Sequence, residues 1–195
     1  MMPIEWPAGL KPKEMTWGRV FNSRAFTSPF TQSQQVVTHP GAYWKCTLSF
    51  RAMYEDEERI FSTFLGELQG MAGTFYLYPW RRARAVEAGA ARVDGSGLAS
   101  GSLRTRGWNI SQQVLTRGDY ITVNDQLLEV LHDVYSNGEG RATIRVSPWL
   151  RRGPSDGDVI EYLNPYAVMR LTSDDEERTV KPLVAGGSIE AREAF

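Results

Sequence analysis

The sequence predicts a mainly β protein of the α+β kind, built on antiparallel sheet with one packed helix, and three observations carry that expectation. The aromatic residues, six Trp, eight Tyr and eight Phe in 195 residues, sit largely in short segments bounded by Gly, Pro, Asn or Ser, the spacing of a chain that turns often and pairs short strands. Residues 43–51 alternate without a break: Trp44, Cys46, Leu48 and Phe50 share one face, and Tyr43, Lys45, Thr47, Ser49 and Arg51 the other. That is the period of a half-buried strand. Only one stretch has helical spacing. Glu55, Asp56, Glu57 and Glu58 open it, where the positive end of the helix dipole favours acids. Ile60, Phe61, Phe64, Leu65 and Leu68 then form a single apolar stripe, and Gly70 and Gly73 close it.

Taken in order, residues 1–15 read as an irregular arm, because Pro3, Pro7 and Pro12 block helix and central strand alike. Residues 16–22 form a first strand. Residues 23–33 are polar and turn-rich, with Phe26 and Phe30 as isolated anchors, and 34–38 is a short strand ended by a His39-Pro40-Gly41 turn. After the alternating strand and the helix, residues 74–78 make a strand that Pro79 ends. Residues 81–112, first Arg- and Ala-rich and then Gly- and Ser-rich, read as a linker or long surface loop. Residues 119–123, 126–135 and 141–146 are strand-like runs separated by Asn124-Asp125 and by the turn at 136–140, a meander. A fourth run at 158–163 makes a small barrel the expected form. Residues 166–171 and 180–191 complete the chain across an acidic turn, Ser173 to Glu177. The expected organisation is one domain formed by residues 1–91 and 165–195, with residues 92–164 inserted as a small β-barrel.

Composition narrows the function classes. Hydrophobic residues at 42% and charged residues at 23% are ordinary for a globular chain. A net charge of −1 supplies no global field for nucleic acid or an anionic membrane. The single cysteine, Cys46, allows no internal disulfide and no cysteine metal cluster. Its place in the alternating strand makes it a small core residue. No signal peptide and no transmembrane helix are expected, since no stretch approaches ~18 apolar residues.

Catalytic patterns are missing. His39 and His132 stand on separate segments from each other and from Cys46, so a nucleophilic set is not expected. No nucleophile elbow, zincin helix or P-loop occurs. The acids at 174–177 read as a solvated hairpin tip, because calcium needs oxygens that converge from several directions. No catalytic residue, metal ligand or cofactor is therefore expected. A basic and aromatic patch does stand out, Trp80-Arg81-Arg82-Ala83-Arg84 with Trp149-Leu150-Arg151-Arg152 further on. Trp and Arg together can stack bases, but they are also enriched where proteins meet. Trp80, Arg81, Arg82, Trp149 and Arg151 are taken as a candidate protein interface. Exposed Trp80, Trp108 or Trp149 could alternatively serve as the platform of a carbohydrate-binding module contacting a host surface.

Three ordered stretches resemble a known family. The first holds Trp17-Gly18, Phe21-Asn22-Ser23, Phe26-Thr27-Ser28-Pro29-Phe30 and Gln34-Gln35, and runs on to Pro40-Gly41-x-x-Trp44 and Thr47-Leu48-Ser49-Phe50. The second is Phe64-Leu65-x-x-Leu68-x-Gly70 followed by Gly73-Thr74-Phe75-Tyr76-Leu77. The third is Gly107-Trp108, then Leu115-Thr116-Arg117-Gly118-Asp119-Tyr120-Ile121, Gly140-Arg141-Ala142-Thr143-Ile144 and Pro148-x-Leu150-Arg151. Their order and spacing, over most of residues 16–195, resemble the distal-tail-like structural proteins of siphophages and related prophages.

That resemblance implies a tail-tube-like β-sandwich with one packed α-helix and an inserted small β-barrel. It implies a non-enzymatic subunit that is assembled in the host cytoplasm and carried in the virion at the tail tip. Its partners would be further copies of itself in a ring, commonly a hexamer, the tail tube protein, the baseplate hub or tail-tip protein, and the tape measure protein. Neither sequence-specific nucleic acid nor membrane insertion is implied. Within residues 22–38, the uncharged polar side chains of Thr27, Ser28, Thr31, Gln32, Gln34 and Gln35 are expected to line the lumen of the ring as a hairpin.

Overall fold

The computed structural model describes residues 2–80, 86–96, 100–175, 178–180 and 184–195. In chain order the elements are β1 (Glu14–Thr27), β2 (Gln34–Met53), α1 (Glu55–Leu68), β3 (Phe75–Leu77), β4 (Gly89–Val93), β5 (Ser102–Trp108), β6 (Gln113–Leu115), β7 (Tyr120–Val123), β8 (Gln126–Val130), β9 (Val134–Tyr135), β10 (Ala142–Ser147), β11 (Ala167–Leu171), β12 (Arg178–Val180) and β13 (Ala185–Glu193). The fold is mainly β, with one α-helix among the described residues. Contacts divide the chain into two compact units. One holds residues 1–18, 44–79 and 166–195, the other residues 19–43 and 80–165.

The first unit is a sheet with α1 packed on one face. The strand order is β1-β2-β13-β11-β3, with β12 paired to β13. Trp44, Cys46, Leu48 and Phe50 are all buried, while Lys45 and Arg51 on the alternate positions are exposed, so the alternating pattern marks a half-buried strand as expected. The helix buries Phe61, Phe64, Leu65 and Leu68, and Ile60 lies half-buried at the margin. Glu57 accepts a hydrogen bond from the Tyr54 amide at 3.3 Å, which ties down the helix start. At the other end Gln69 adopts a left-handed conformation with φ 51° and returns its amide to Leu65.

An aromatic cluster joins helix to sheet. Phe50 meets Phe61 at 4.9 Å, and Phe64 meets Phe75 edge-on at 5.5 Å. The N-terminal arm supplies Trp6, whose ring lies 5.2 Å from Phe64 and 5.7 Å from Phe75. Trp6 donates to the Leu10 carbonyl at 2.7 Å, and Leu10 is itself buried. The arm is irregular as expected, yet it caps the core, and Ile4 bridges Phe75 at the outer edge of β3.

The second unit holds a five-stranded antiparallel sheet in the order β4-β5-β10-β8-β7 and a two-stranded pair, β6-β9. The sheet curls. The segment 157–161 is stitched to both of its edges: the Ile160 amide donates to Ala91 at 3.1 Å on β4, and Thr122 on β7 exchanges two hydrogen bonds with Glu161 at 2.7 and 3.0 Å. Satisfying both edges is how a small sheet closes on itself. Val93, Leu103, Ile121, Leu128, Ile144 and Val146 fill the interior, with Trp108 packed at 5.1 Å against Tyr162.

Five expectations need correction. Residues 81–112 are not a linker throughout, since β4 and β5 lie within them and pair with each other; residues 81–85 and 97–99 lie outside the described residues. A domain boundary between 91 and 92 would cut β4 in two, whereas the units divide between Pro79 and Trp80. The run 126–135 is two strands, broken at 131–133, and 158–163 makes only isolated bridges. The His39-Pro40-Gly41 triplet is not a turn but lies inside β2, with Gly41 at φ 108°, and the reversal falls instead at residues 28–33.

Candidate interaction surface

The β1–β2 hairpin carries the expected polar residues at and beside its tip. The backbone closes with Ser28 donating to the Ser33 carbonyl at 2.9 Å and Gln32 donating to Ser28 at 3.0 Å. The Ser28 hydroxyl accepts from the Phe30 and Thr31 amides, both at 3.3 Å, a side-chain turn of the kind Ser favours. The Thr31 and Ser33 hydroxyls lie 2.8 Å apart, and Gln34 donates to Thr27 at 3.2 Å. Gln32 sits at φ 57°. Thr27, Thr31, Gln32, Gln34 and Gln35 are exposed, and Ser28 is half-buried. The tip is thus satisfied locally.

What the sequence did not signal is the exposure of the hairpin's large apolar side chains. Phe21 is 58%, Phe26 58%, Phe30 94% and Val36 60% exposed. Phe26 and Phe30 are therefore exposed rather than buried as core anchors, contrary to the expectation. Residues 21–27 and 29–36 are exposed on both faces. At the hairpin's base Arg19 pairs with Glu129 on β8 at 2.9 Å.

The expected Trp/Arg interface is placed in part. Trp80 and Trp149 are both exposed, and among the described residues no ring contact joins them. Arg151 is half-buried, and its amide donates to the Gln126 side chain at 3.0 Å. Gln126 also donates to the Trp149 carbonyl at 2.9 Å, fixing the backbone that presents this indole. Arg81 and Arg82 lie outside the described residues. Trp149 borders a shallow cavity of about 140 Å³ shared with Phe21, Asn22, Thr38, His39 and Pro148. Trp108 is no sugar platform: it is buried and donates from Nε1 to Thr105 at 2.7 Å.

Residues with possible chemistry are dispersed. Cys46 is buried, and loss of hydration pushes its thiol up to about 12, against a smaller opposing effect of the Ala191 backbone. A thiol so disfavoured as thiolate is a poor nucleophile. His39 and His132 are exposed. Among the described residues no three His, Cys, Asp or Glu side chains are grouped to hold a metal ion. Asp174 is engaged structurally, accepting from the Met71 amide at 2.8 Å. No helix of the described residues is long and apolar enough to cross a membrane. No family model matches the chain, and no curated protein sequence matches it significantly.

Proposed function

We propose that this chain is a structural subunit of a bacteriophage tail tip, a distal-tail-like protein whose copies close a ring, commonly of six, between the tail tube and the hub or tip. The role is geometric and involves no catalysis. Its partners are other copies of the chain, the tube protein above, the hub below and the tape measure protein that the tube surrounds.

One observation carries this proposal beyond the resemblance in the sequence. The β1–β2 hairpin holds four large apolar side chains in solvent. A two-stranded ribbon exposed on both faces is marginal in water, and apolar surface of this kind marks a protein contact. A neighbouring subunit would supply the missing cover, while Thr27, Ser28, Thr31, Gln32, Gln34 and Gln35 present an uncharged, hydrated surface to the lumen. Subunits of a ring meet through two different patches, so one copy's hairpin need not face another hairpin.

The double variant Phe26→Ser/Phe30→Ser tests the role of the hairpin. Both side chains are exposed, so the isolated subunit should melt within about 0.5 kcal/mol of the parent. Incorporation into particles, read by mass spectrometry of purified virions, should fall at least tenfold. Full incorporation of the variant would contradict the assignment of the hairpin as a subunit contact.

A further inference from the structure

A cavity of about 140 Å³ opens at the base of the β1–β2 hairpin, within the second unit. Phe21 and His39 border it from the hairpin, and Pro148 and Trp149 from the segment that follows β10. Phe21 is 58% and Trp149 57% exposed, so both rings stand partly in solvent. The walls are nonetheless held in place. The Arg19 guanidinium lies over the Phe21 ring at 5.7 Å. The Trp149 carbonyl accepts from the Gln126 side chain at 2.9 Å. Its indole lies so close to Gly101 that a Cβ there would meet Nε1 at 2.7 Å. A preformed apolar cavity of ~150 Å³ takes up benzene, so the size here suits one phenyl ring.

The other end of the same hairpin presents such a ring. Phe30 is 94% exposed, the most of any large apolar side chain among the described residues. Its amide donates to the Ser28 hydroxyl at 3.3 Å, and Gln32 donates to the Ser28 carbonyl at 3.0 Å. A turn tied down in this way holds Phe30 out in one place, which lowers the ordering cost of docking. The ring does not reach the cavity of its own chain. From Phe21 to Thr27, β1 runs roughly 20 Å at ~3.3 Å per residue, farther than a phenylalanine side chain extends.

A second copy has no such limit, and the areas suit it. Phe26 and Phe30 would bury ~150–250 Å² each when fully covered. That is about half of the ~800 Å² per partner that a stable interface needs. The ribbon around them, exposed on both faces over residues 21–27 and 29–36, carries the rest.

We infer that Phe30 of one copy seats in the Phe21–Trp149 cavity of the next. This inference rests on the ring proposed above and names the place where its hairpin docks. Tip and cavity are different patches of the chain, so the contact is heterologous, and each copy gives one tip and receives another.

Photo-cross-linking of the full-length chain tests it, using the variant Phe30→p-benzoylphenylalanine. Mixing isotope-labelled with unlabelled chain separates links between copies from links within one. Links between copies should fall on residues 147–149 or on Phe21 and His39. In parallel, assembly is read by native mass spectrometry. Phe30→Ala and Trp149→Ala should each raise the concentration needed for half assembly roughly tenfold or more, as loss of an aromatic anchor does. Both side chains are exposed, so neither variant should change the melting temperature. An equimolar mixture of the two should give a two-copy species that grows no further, because only one tip and one intact cavity meet. Links within one chain, links between copies at other residues, or both Ala variants assembling at the parent's level would overturn the contact and leave the ring standing. A parent that stays monomeric at every concentration would overturn the ring and the contact together. Binding of chitotetraose that is lost on Trp149→Ala, with assembly unchanged, would assign the cavity to a sugar and overturn the inference.

Discussion

Cys46 shows how much a side chain's surroundings decide. Its thiol has Trp44 and Leu48 on either side along one strand face, all of them buried. Burial raises its titration to about 12, so at pH 8 the native protein holds roughly a thousandfold less thiolate than a free cysteine. Alkylation of the folded chain should therefore proceed only as fast as the core opens, and urea should release it. Rapid labelling under native conditions, followed by mass spectrometry, would show that the strand face is open. The alternating pattern made this burial legible from the sequence. Phe26 and Phe30 had the opposite outcome, since an apolar residue in a polar segment signals burial without saying whether the cover comes from its own chain. Trp108 misled for a related reason. An indole in a Gly-rich stretch suggests a surface platform, whereas Thr105, three residues away, satisfies its N–H inside the barrel.

Among the elements, α1 and the lower half of β2 were legible because each has one buried face and so a strict period. β4 and β5 were not, since their sequence is Ala-, Gly- and Ser-rich and resembles a linker. Even so, Ala91 and Val93, then Leu103 and Thr105, are buried at every second position. Small side chains suffice there because Gly89 and Gly107 let the two strands approach closely. Both have positive φ, 115° and 83°, and a Cβ on Gly107 would collide with the Ala90 carbonyl oxygen. The extended backbone through His39-Pro40-Gly41 was hidden because Pro normally interrupts a sheet. It is tolerated where one edge of the strand is unpaired, and the ladder of β2 with β13 begins only at Lys45.

The barrel's closing segment is held by an ion-pair network of the same scale. Arg106 on β5 grips Asp156 at 3.0 Å and Asp94 at 3.4 Å, and the Gly95 amide donates to Asp156 at 2.7 Å. The Gly95 amide and then the Arg106 guanidinium hold the Asp156 carboxyl below the usual carboxylate range. A depressed carboxylate stabilises the fold above its unfolded-state value and loses that contribution as the pH falls through its folded value. Asp156→Asn should lower the melting temperature at neutral pH and match the parent in strong acid, where the parent's carboxyl is protonated too. A variant deficit that persists unchanged in acid would mean that the charge is not what pins the segment.

For the whole molecule, the mainly β class and the single helix followed from periodicity, while the division into units did not. A boundary is set by long-range pairing, and the strands that return to the first unit, β11 and β13, come after the barrel in the chain. The proposed role depends on the hairpin, which exposes Phe21, Phe26 and Phe30 to solvent. In the proposed tail-tip ring a second copy would cover them. Cryo-electron microscopy of purified particles tests this most directly, by locating the chain in the map. The account predicts a symmetric ring at the lower end of the tail tube, with residues 27–35 toward the lumen. Absence of the chain from the particle, or a ring with that hairpin on its outer surface, would contradict it.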